Sequence, residues 1–500
     1  MNSLDTLEKT LSSGAALTGS LAGCTVYPRS VHRVNGALLF MARSATGRFL
    51  VAAGDTAGFE GEALAVQDAP AKKCPLTYAN ARRMMELLPF TAPKSHRGHA
   101  FTMGLGDRLG LASPGHIRTI EGRGVFPVLA QQSMRELKLT GRTYEDVLAA
   151  AAFAVLQEGW QGGWGADGDH LKTAEEIRYA LGCGFTMITL DCSEQIDKQA
   201  QGMGGAALDE AYAALPEDVR SHYESRYMGK TFALDGGNVA ISTAELKSIT
   251  LTYARAIDYA AGIYHSEIKT APHPVDFEVS IDETLSTTTP AAHFAVANEL
   301  TSRGVTMSSM APRFVGEFQK GIDYIGNLKE FEEHFIVHER IARHFGYKLS
   351  IHSGSDKFAV FGAIGCHTGL NVHVKTAGTN WLEALRIVAA RDPKLFRELL
   401  AFALRHLNEA RAYYHIGADP ARVADAAKVP DNRLGEYLNQ DDARQVLHIT
   451  YGLMLQAADE SGKLLYKDRL YGVLHEYEEE YAGAIIKHIG RHVDAVMGIK

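Results

Sequence analysis

The residues best suited to chemistry lie in Trp164-Gly165-Ala166-Asp167-Gly168-Asp169-His170, preceded by Gly162 and Gly163. Two carboxylates and an imidazole fall within four residues, among small side chains that let a ligand approach the backbone. Such a cluster suits a metal ligand beside an acid/base carboxylate. The competing reading is an Asx-type turn capping a helix that begins near Thr173. If the segment ends a strand, Asp167 and Asp169 share one face. His170 then takes the other, unless the chain bends there.

These residues need elements to hold them. A chain of 500 residues is more than one small core requires, so one large barrel with additions or two to three domains is expected. Hydrophobic residues make up 46% and charged residues 22%, the balance of a globular chain. The formal net charge of −8, without a long basic run, argues against nucleic acid as the main partner. The N-terminus lacks a basic flank followed by a long apolar core, so no signal peptide is read. No uninterrupted apolar run is long enough for a membrane span. Five scattered cysteines without a CxxC pair point to reduced thiols in the cytoplasm.

Residues 1–95 read as a small α+β layer. Ala37–Arg43 and Arg48–Gly54 flank the turn Ser44–Gly47 as a β-hairpin, and a helix over Tyr78–Leu88 stops at Pro89. Beyond His99 a rhythm of short apolar strand, polar end and helix begins. The strands are Ala100–Arg108, Val125–Ser133, Gly163–His170, Phe185–Ser193, Phe277–Thr284, Val305–Phe314, Tyr347–Asp356 and Asn371–Thr379. Eight strands alternating with helices imply a closed (β/α)8 barrel of the TIM type, an α/β fold, over residues 96–380. The stretch 194–274 between the fourth and fifth strands is too long for one crossover. It reads as an insertion with a helix over Asp209–Tyr227, a hairpin over Thr231–Ile241 and a long helix over Ala244–Lys269. It is long enough to form a lid or a homo-oligomer contact. Residues 381–500 read as a helical region packed on the barrel, with helices over Trp381–Ala390, Pro393–Tyr414, Ala443–Ala457 and Tyr466–Met497.

In such a barrel, catalytic groups sit where strands end. The strands deliver there Asp107, Arg108, Gln131, Gln132, Asp167, Asp169, His170, Asp191, Glu278, Asp282, Arg313, His352, Asp356, Lys357, His373 and Lys375. Alternation in FEVSIDET puts Glu278, Ser280 and Asp282 into the barrel. Glu278 lies low on its strand, where burial is expected to raise its pKa and make it an acid. Each residue also has a plain structural reading. His373 suits a hydrogen-bonded core histidine, Asp191 a helix cap, and Arg313 a bridge between carboxylates.

Several longer motifs carry a resemblance. They are GDRLGLASPGHIR (106–118), FPVLAQQSMRE (126–136), TGRTYEDVL (140–148), GADGDH (165–170), FEVSIDETLSTTTP (277–290), RFVGEFQKGIDY (313–324), SIHSGSDKF (350–358) and HVKTAGTNWLEA (373–384). Through these the chain resembles the bacterial tagaturonate/fructuronate epimerase family, also exploited as tagatose 4-epimerases. The resemblance implies a divalent-metal enzyme that inverts C4 of a 2-ketohexuronate or a 2-ketohexose. By motif, it implies Asp169 as proton acceptor, Glu278 as proton donor, and His170 and His352 as metal ligands. For a third ligand His373 is favoured, because strands seven and eight are neighbours; Glu317 is the rival.

The chemistry follows from the substrate. C4 lies β to the C2 carbonyl, so its hydrogen is not acidic and simple proton abstraction cannot invert it. Breaking and re-forming C3–C4 can, given a Lewis acid for the enediolate, a base for the C4 hydroxyl and an acid to return its proton. A mixed imidazole and carboxylate site favours zinc, manganese, cobalt or nickel. Gln132, Arg313, Lys357 and Lys375 are the groups expected to grip the sugar or its carboxylate. Two other classes compete. One is a metal-dependent aldolase or ketose/aldose isomerase. The other is a non-catalytic sugar-binding barrel, against which the intact Asp169, His170, Glu278 and His352 argue.

Overall fold

The computed structural model describes residues 3–12, 19–66 and 69–499. The reading of the extreme N-terminus rests partly on residues outside this set. The expected barrel is present. Its strands are β1 (Phe101–Gly104), β2 (Phe126–Ser133), β3 (Gly165–Leu171), β4 (Met187–Asp191), β5 (Asp276–Ile281), β6 (Ser309–Pro312), β7 (Lys348–Ile351) and β8 (Val372–Lys375). They close in sequence order, and the pairings from β3 through β8 and back to β1 are parallel. Several strands are shorter than their sequence patterns, because the glycine-, proline- and serine-rich ends leave the hydrogen-bond ladder. Those ends are the loops that carry the polar groups.

The chain divides into two compact units, each discontinuous in sequence. One comprises residues 1–94, 105–166 and 377–491; the other comprises 95–104, 167–376 and 492–500.

In the first unit the hairpin pairs Ala37 with Gly54 and Ser44 with Gly47. Leu38, Phe40, Ala42, Phe49, Val51 and Ala53 alternate onto one face, where Leu4, Leu7 and Leu11 of helix Ser3–Ser12 pack. Helix Tyr78–Leu87 starts where the Thr77 hydroxyl accepts from Asn80 N. Toward the C-terminus the expected long helices are interrupted. Helix Pro393–Arg405 stops well short of Tyr414, and Tyr477 separates Lys467–Glu476 from Glu478–Met497. Residues 411–440 hold the 3-10 segments Pro420–Arg422, Ala426–Lys428 and Asp431–Asn439 instead of an α-helix.

In the second unit the 194–274 insertion forms two helices, Gly205–Ala213 and Glu217–Tyr227, with Pro216 between them. The hairpin Thr231–Leu234 with Gly237–Ala240 turns at Asp235-Gly236. Helix Thr243–Ile263 begins with a capping box between Ser242 and Glu245. Among the described residues no helix is long and apolar enough to cross a membrane, and no disulfide joins the five cysteines.

Candidate active site

The site is assembled at the C-terminal ends of β3, β4, β5, β7 and β8, all within the second unit apart from the first two residues of β3. The stretch at the end of β3 is not a helix cap. Helix Ala174–Cys183 is capped by its own box, Thr173 with Glu176, which leaves Asp167, Asp169 and His170 for other work. The chain does bend there. His170 has φ +54°, a left-handed conformation rare for a non-glycine residue, and the β3–β4 register shifts between Ile188 and Leu190. The bend releases His170 from strict alternation, so both Asp169 and His170 reach the site. Backbone held in so sparse a region costs about 1–3 kcal/mol and is a feature of functional sites.

Lys375 is the hub. Its ammonium lies 2.7 Å from Asp169 Oδ1, 3.0 Å from Asp167 Oδ2 and 2.9 Å from Glu278 Oε1, and donates to Thr189 Oγ1 at 2.6 Å. Glu278 is wholly buried. Its Oε1 also accepts from His352 Nε2 at 2.7 Å and Thr189 Oγ1 at 3.2 Å, and its Oε2 from Ser309 Oγ at 2.5 Å. Burial would raise this carboxyl, but the charge of Lys375 and the hydrogen bond and charge of His352 win and hold it well below the usual range. The expected elevated acid is therefore not at Glu278. Asp167 takes that character: burial pushes it up to about 6, against the pull of Lys375. Asp169 is lowered, since Lys375, His170 and His352 outweigh its burial.

Beside this cluster the His170 and His352 rings meet edge to face, with centroids 4.7 Å apart. His170 Nδ1 is 3.8 Å from Asp191 Oδ2, and His352 Nδ1 is 3.2 Å from Asp282 Oδ2. Both Nδ1 atoms are buried without a formed hydrogen bond. Burial would lower the His352 pKa, yet Asp282 and Glu278 raise it to about 10. Ligand atoms of His170, Asp191 and Glu283 lie within 4.8 Å of one another, a group that could hold a metal ion. Buried imidazole nitrogens facing carboxylate oxygens match the mixed donor set that first-row transition metals and zinc accept. The residues present therefore fit a divalent cation.

The remaining candidates divide. His373 does not join the histidine pair. Its Nδ1 bonds Thr102 Oγ1 at 2.8 Å, its ring stacks on His96, and burial holds its pKa well below the usual value. Glu317 is exposed and accepts from the Gln319 amide. Carboxylates at the ends of β4 and β5 thus replace both as partners for the imidazoles. Lys357 is not offered to a ligand, because its ammonium donates to the carbonyls of Gln319, Ile322 and Ser355 at 2.6–2.8 Å. Arg313 bonds the Thr284 carbonyl, and its N–H donates to Thr288 Oγ1 at 3.0 Å, tying down the loop after β5. Gln132, in the other unit, keeps both amide atoms buried without a hydrogen-bond partner.

Thr189 and Glu283 escaped the sequence reading. Alternation along β4 was the available signal for Thr189, which shares a face with Asp191. Glu283 sits in the irregular stretch after β5, where no periodicity applies.

A family model described as tagaturonate epimerase matches residues 27–496. A tagaturonate/fructuronate epimerase of Thermotoga maritima is 38% identical over 481 residues, covering 95% of this chain and 98% of its own. The native crystal structure of a fructuronate-tagaturonate epimerase from Cohnella laeviribosi superposes with a TM-score of 0.93 at 48% identity, covering 98% of this chain and 99% of that one. A glycerol complex of the same enzyme gives the same score and identity over 99% of each chain. Matches that run nearly end to end place this chain in the tagaturonate epimerase family.

Proposed function

We propose that the protein interconverts tagaturonate and fructuronate by inverting C4, through cleavage and re-formation of the C3–C4 bond. The observation that carries this reading is that Asp169 and Glu278 share one ammonium, Lys375, beside the His170–His352 pair. Two carboxylates linked in this way suit a reaction that takes a proton at one point and returns it at another.

Asp169 removes the C4 hydroxyl proton. C4 becomes an aldehyde, and the electron pair of the C3–C4 bond moves to C3, where it forms an enediolate with C2. The aldehyde turns its other face and C3 attacks again. Its neighbours keep Glu278 ionised when no ligand is bound, so the proton it delivers must first reach it. Lys375 touches both carboxylates: its ammonium gives a proton to Glu278 and takes the one that Asp169 removed from the C4 hydroxyl. Glu278 then delivers that proton to the new C4 oxygen, and both carboxylates end the passage ionised. A divalent cation held by His170 and His352 with Asp191, Asp282 or Glu283 would supply a Lewis acid for the ketone side of the sugar. The cluster carries more carboxylates than cations, which favours that occupant.

Two measurements bear on this reading. Incubating the metal-loaded protein with tagaturonate should yield fructuronate, identified by chromatography, with no release of three-carbon products. Accumulating trioses, or an aldose, would instead mark an aldolase or an isomerase. Separately, His170→Ala and His352→Ala should each lose bound metal, read by elemental analysis, while keeping the fold by circular dichroism. Full metal content in both variants would remove the imidazoles from the ligand set.

A further inference from the structure

The opposite end of the barrel carries a cavity with a buried charge. It has a volume of about 400 Å³ and is lined by residues that precede or begin β1, β6, β7 and β8. The N-terminal face of such a barrel usually serves stability, so a charged cavity there calls for an explanation.

Its floor holds Lys348, which is only 9% exposed. Alternation along β7 turns Lys348 to the same side as Ser350, toward the barrel interior. The ammonium makes one short hydrogen bond, to the His99 carbonyl at 2.5 Å; Thr102 Oγ1 and His96 Nδ1 lie farther, at 3.4 and 3.5 Å. Arg97 stands at the rim with its side chain 61% exposed. The lining contains no carboxylate. The nearest acid, Asp276, lies behind it and is engaged by His96 N at 2.6 Å and Ser95 Oγ at 2.8 Å, with Arg97 Nε 3.8 Å away. Asp276 thus pins the 95–97 segment, and Arg97, whose guanidinium also donates to the Val275 carbonyl at 3.4 Å, forms part of the cavity lining. Thr306, Ser308 and Asn371 add neutral hydrogen-bonding groups.

A buried ammonium and a rim guanidinium, with no acid between them in the wall, make an anion site. The volume, and a wall that sets Thr306, Ser308 and Asn371 beside Ala100, Met307 and Tyr347, suit a carrier of hexose size bearing hydroxyls. We propose that this cavity binds a small polyhydroxylated oxyanion, carboxylate or phosphate, with the anion between Lys348 and Arg97. Burial lowers the Lys348 pKa to about 8, so a bound anion would also favour its charged form. The proposal does not depend on the reaction assigned to the opposite face.

Isothermal titration calorimetry with D-sorbitol 6-phosphate, D-gluconate and D-sorbitol keeps the carrier constant and changes only the charged group. At least one of the two anions should bind with one site per chain, at least tenfold more tightly than sorbitol. Whichever binds more tightly identifies the oxyanion. Lys348→Met and Arg97→Gln should each weaken that binding at least tenfold. Arg97 is largely exposed, so its variant decides the matter if Lys348→Met does not fold. Anions that bind no better than sorbitol would overturn the proposal. So would anion binding that survives unchanged in Arg97→Gln, since that places the anion elsewhere, the active site included.

Discussion

Glu278→Gln should fold, keep its metal and lose about 10²–10⁴-fold of its turnover, the usual cost of removing general acid/base help. The structure explains why the change is tolerated. The amide oxygen can take the place of Oε1 and accept from Thr189, Lys375 and His352. The amide nitrogen then faces Ser309, whose hydroxyl donates to Oε2 in the parent and can turn to accept instead. What is lost is the ability to hold and deliver a proton. Steady-state kinetics with tagaturonate, alongside metal content and thermal unfolding, checks this. Turnover within a few-fold of the parent would take Glu278 out of the mechanism.

Lys375→Met should damage both stability and activity. Removing the ammonium leaves Asp167, Asp169 and Glu278 buried together without their shared counter-charge. Breaking a buried ion pair by deleting one partner typically costs about 3–5 kcal/mol. The loss should depend on pH, with a sign that follows from the shifts. In the parent, Asp169 and Glu278 are depressed, so they contribute stability above roughly pH 4 that is lost as pH falls. Asp167, raised to about 6, acts oppositely: its native form binds more protons than the unfolded chain, and its share is lost as pH rises through that value. Without Lys375, burial and mutual repulsion raise all three carboxyls. The variant should therefore become less stable as pH rises from about 5 to 7. Urea unfolding of metal-free parent and variant should show the widest gap at pH 7 and a narrower one at pH 5. A gap that does not change with pH would mean that Lys375 does not hold these carboxylates ionised.

The barrel was legible because its strands are short apolar runs with polar ends, separated by helix-length segments. That pattern is local, and eight repeats of it have few other solutions. Strand-end position likewise placed Asp169, His170, Glu278 and His352 at one address. The pairing of groups was less legible, because it depends on which strands meet and how far each side chain reaches. Strands seven and eight are neighbours, yet His373 points to Thr102 while the partners of His170 and His352 come from β4 and the end of β5. The Glu278 pKa was misjudged for a related reason. Burial of a residue low on β5 could be read from alternation, but the cations that reverse its effect arrive from β7 and β8. Lys357 looked like a ligand-binding lysine in a Ser-Gly-Ser-Asp-Lys loop; only the folded loop reveals the three carbonyls that consume it. The left-handed His170 could be posed only as a condition on the strand, since nothing in its residue type demands that conformation.

The C3–C4 bond is the most direct point of test. Carbon-13 isotope effects at every position of tagaturonate can be read by NMR from the substrate left after partial conversion, provided chemistry is made rate-limiting, for example with Glu278→Gln. Retro-aldol inversion predicts primary effects at both C3 and C4, because the bond between them breaks in the slow step. An effect at C4 with none at C3 would contradict it, because C4 would then have been inverted with its bond to C3 intact.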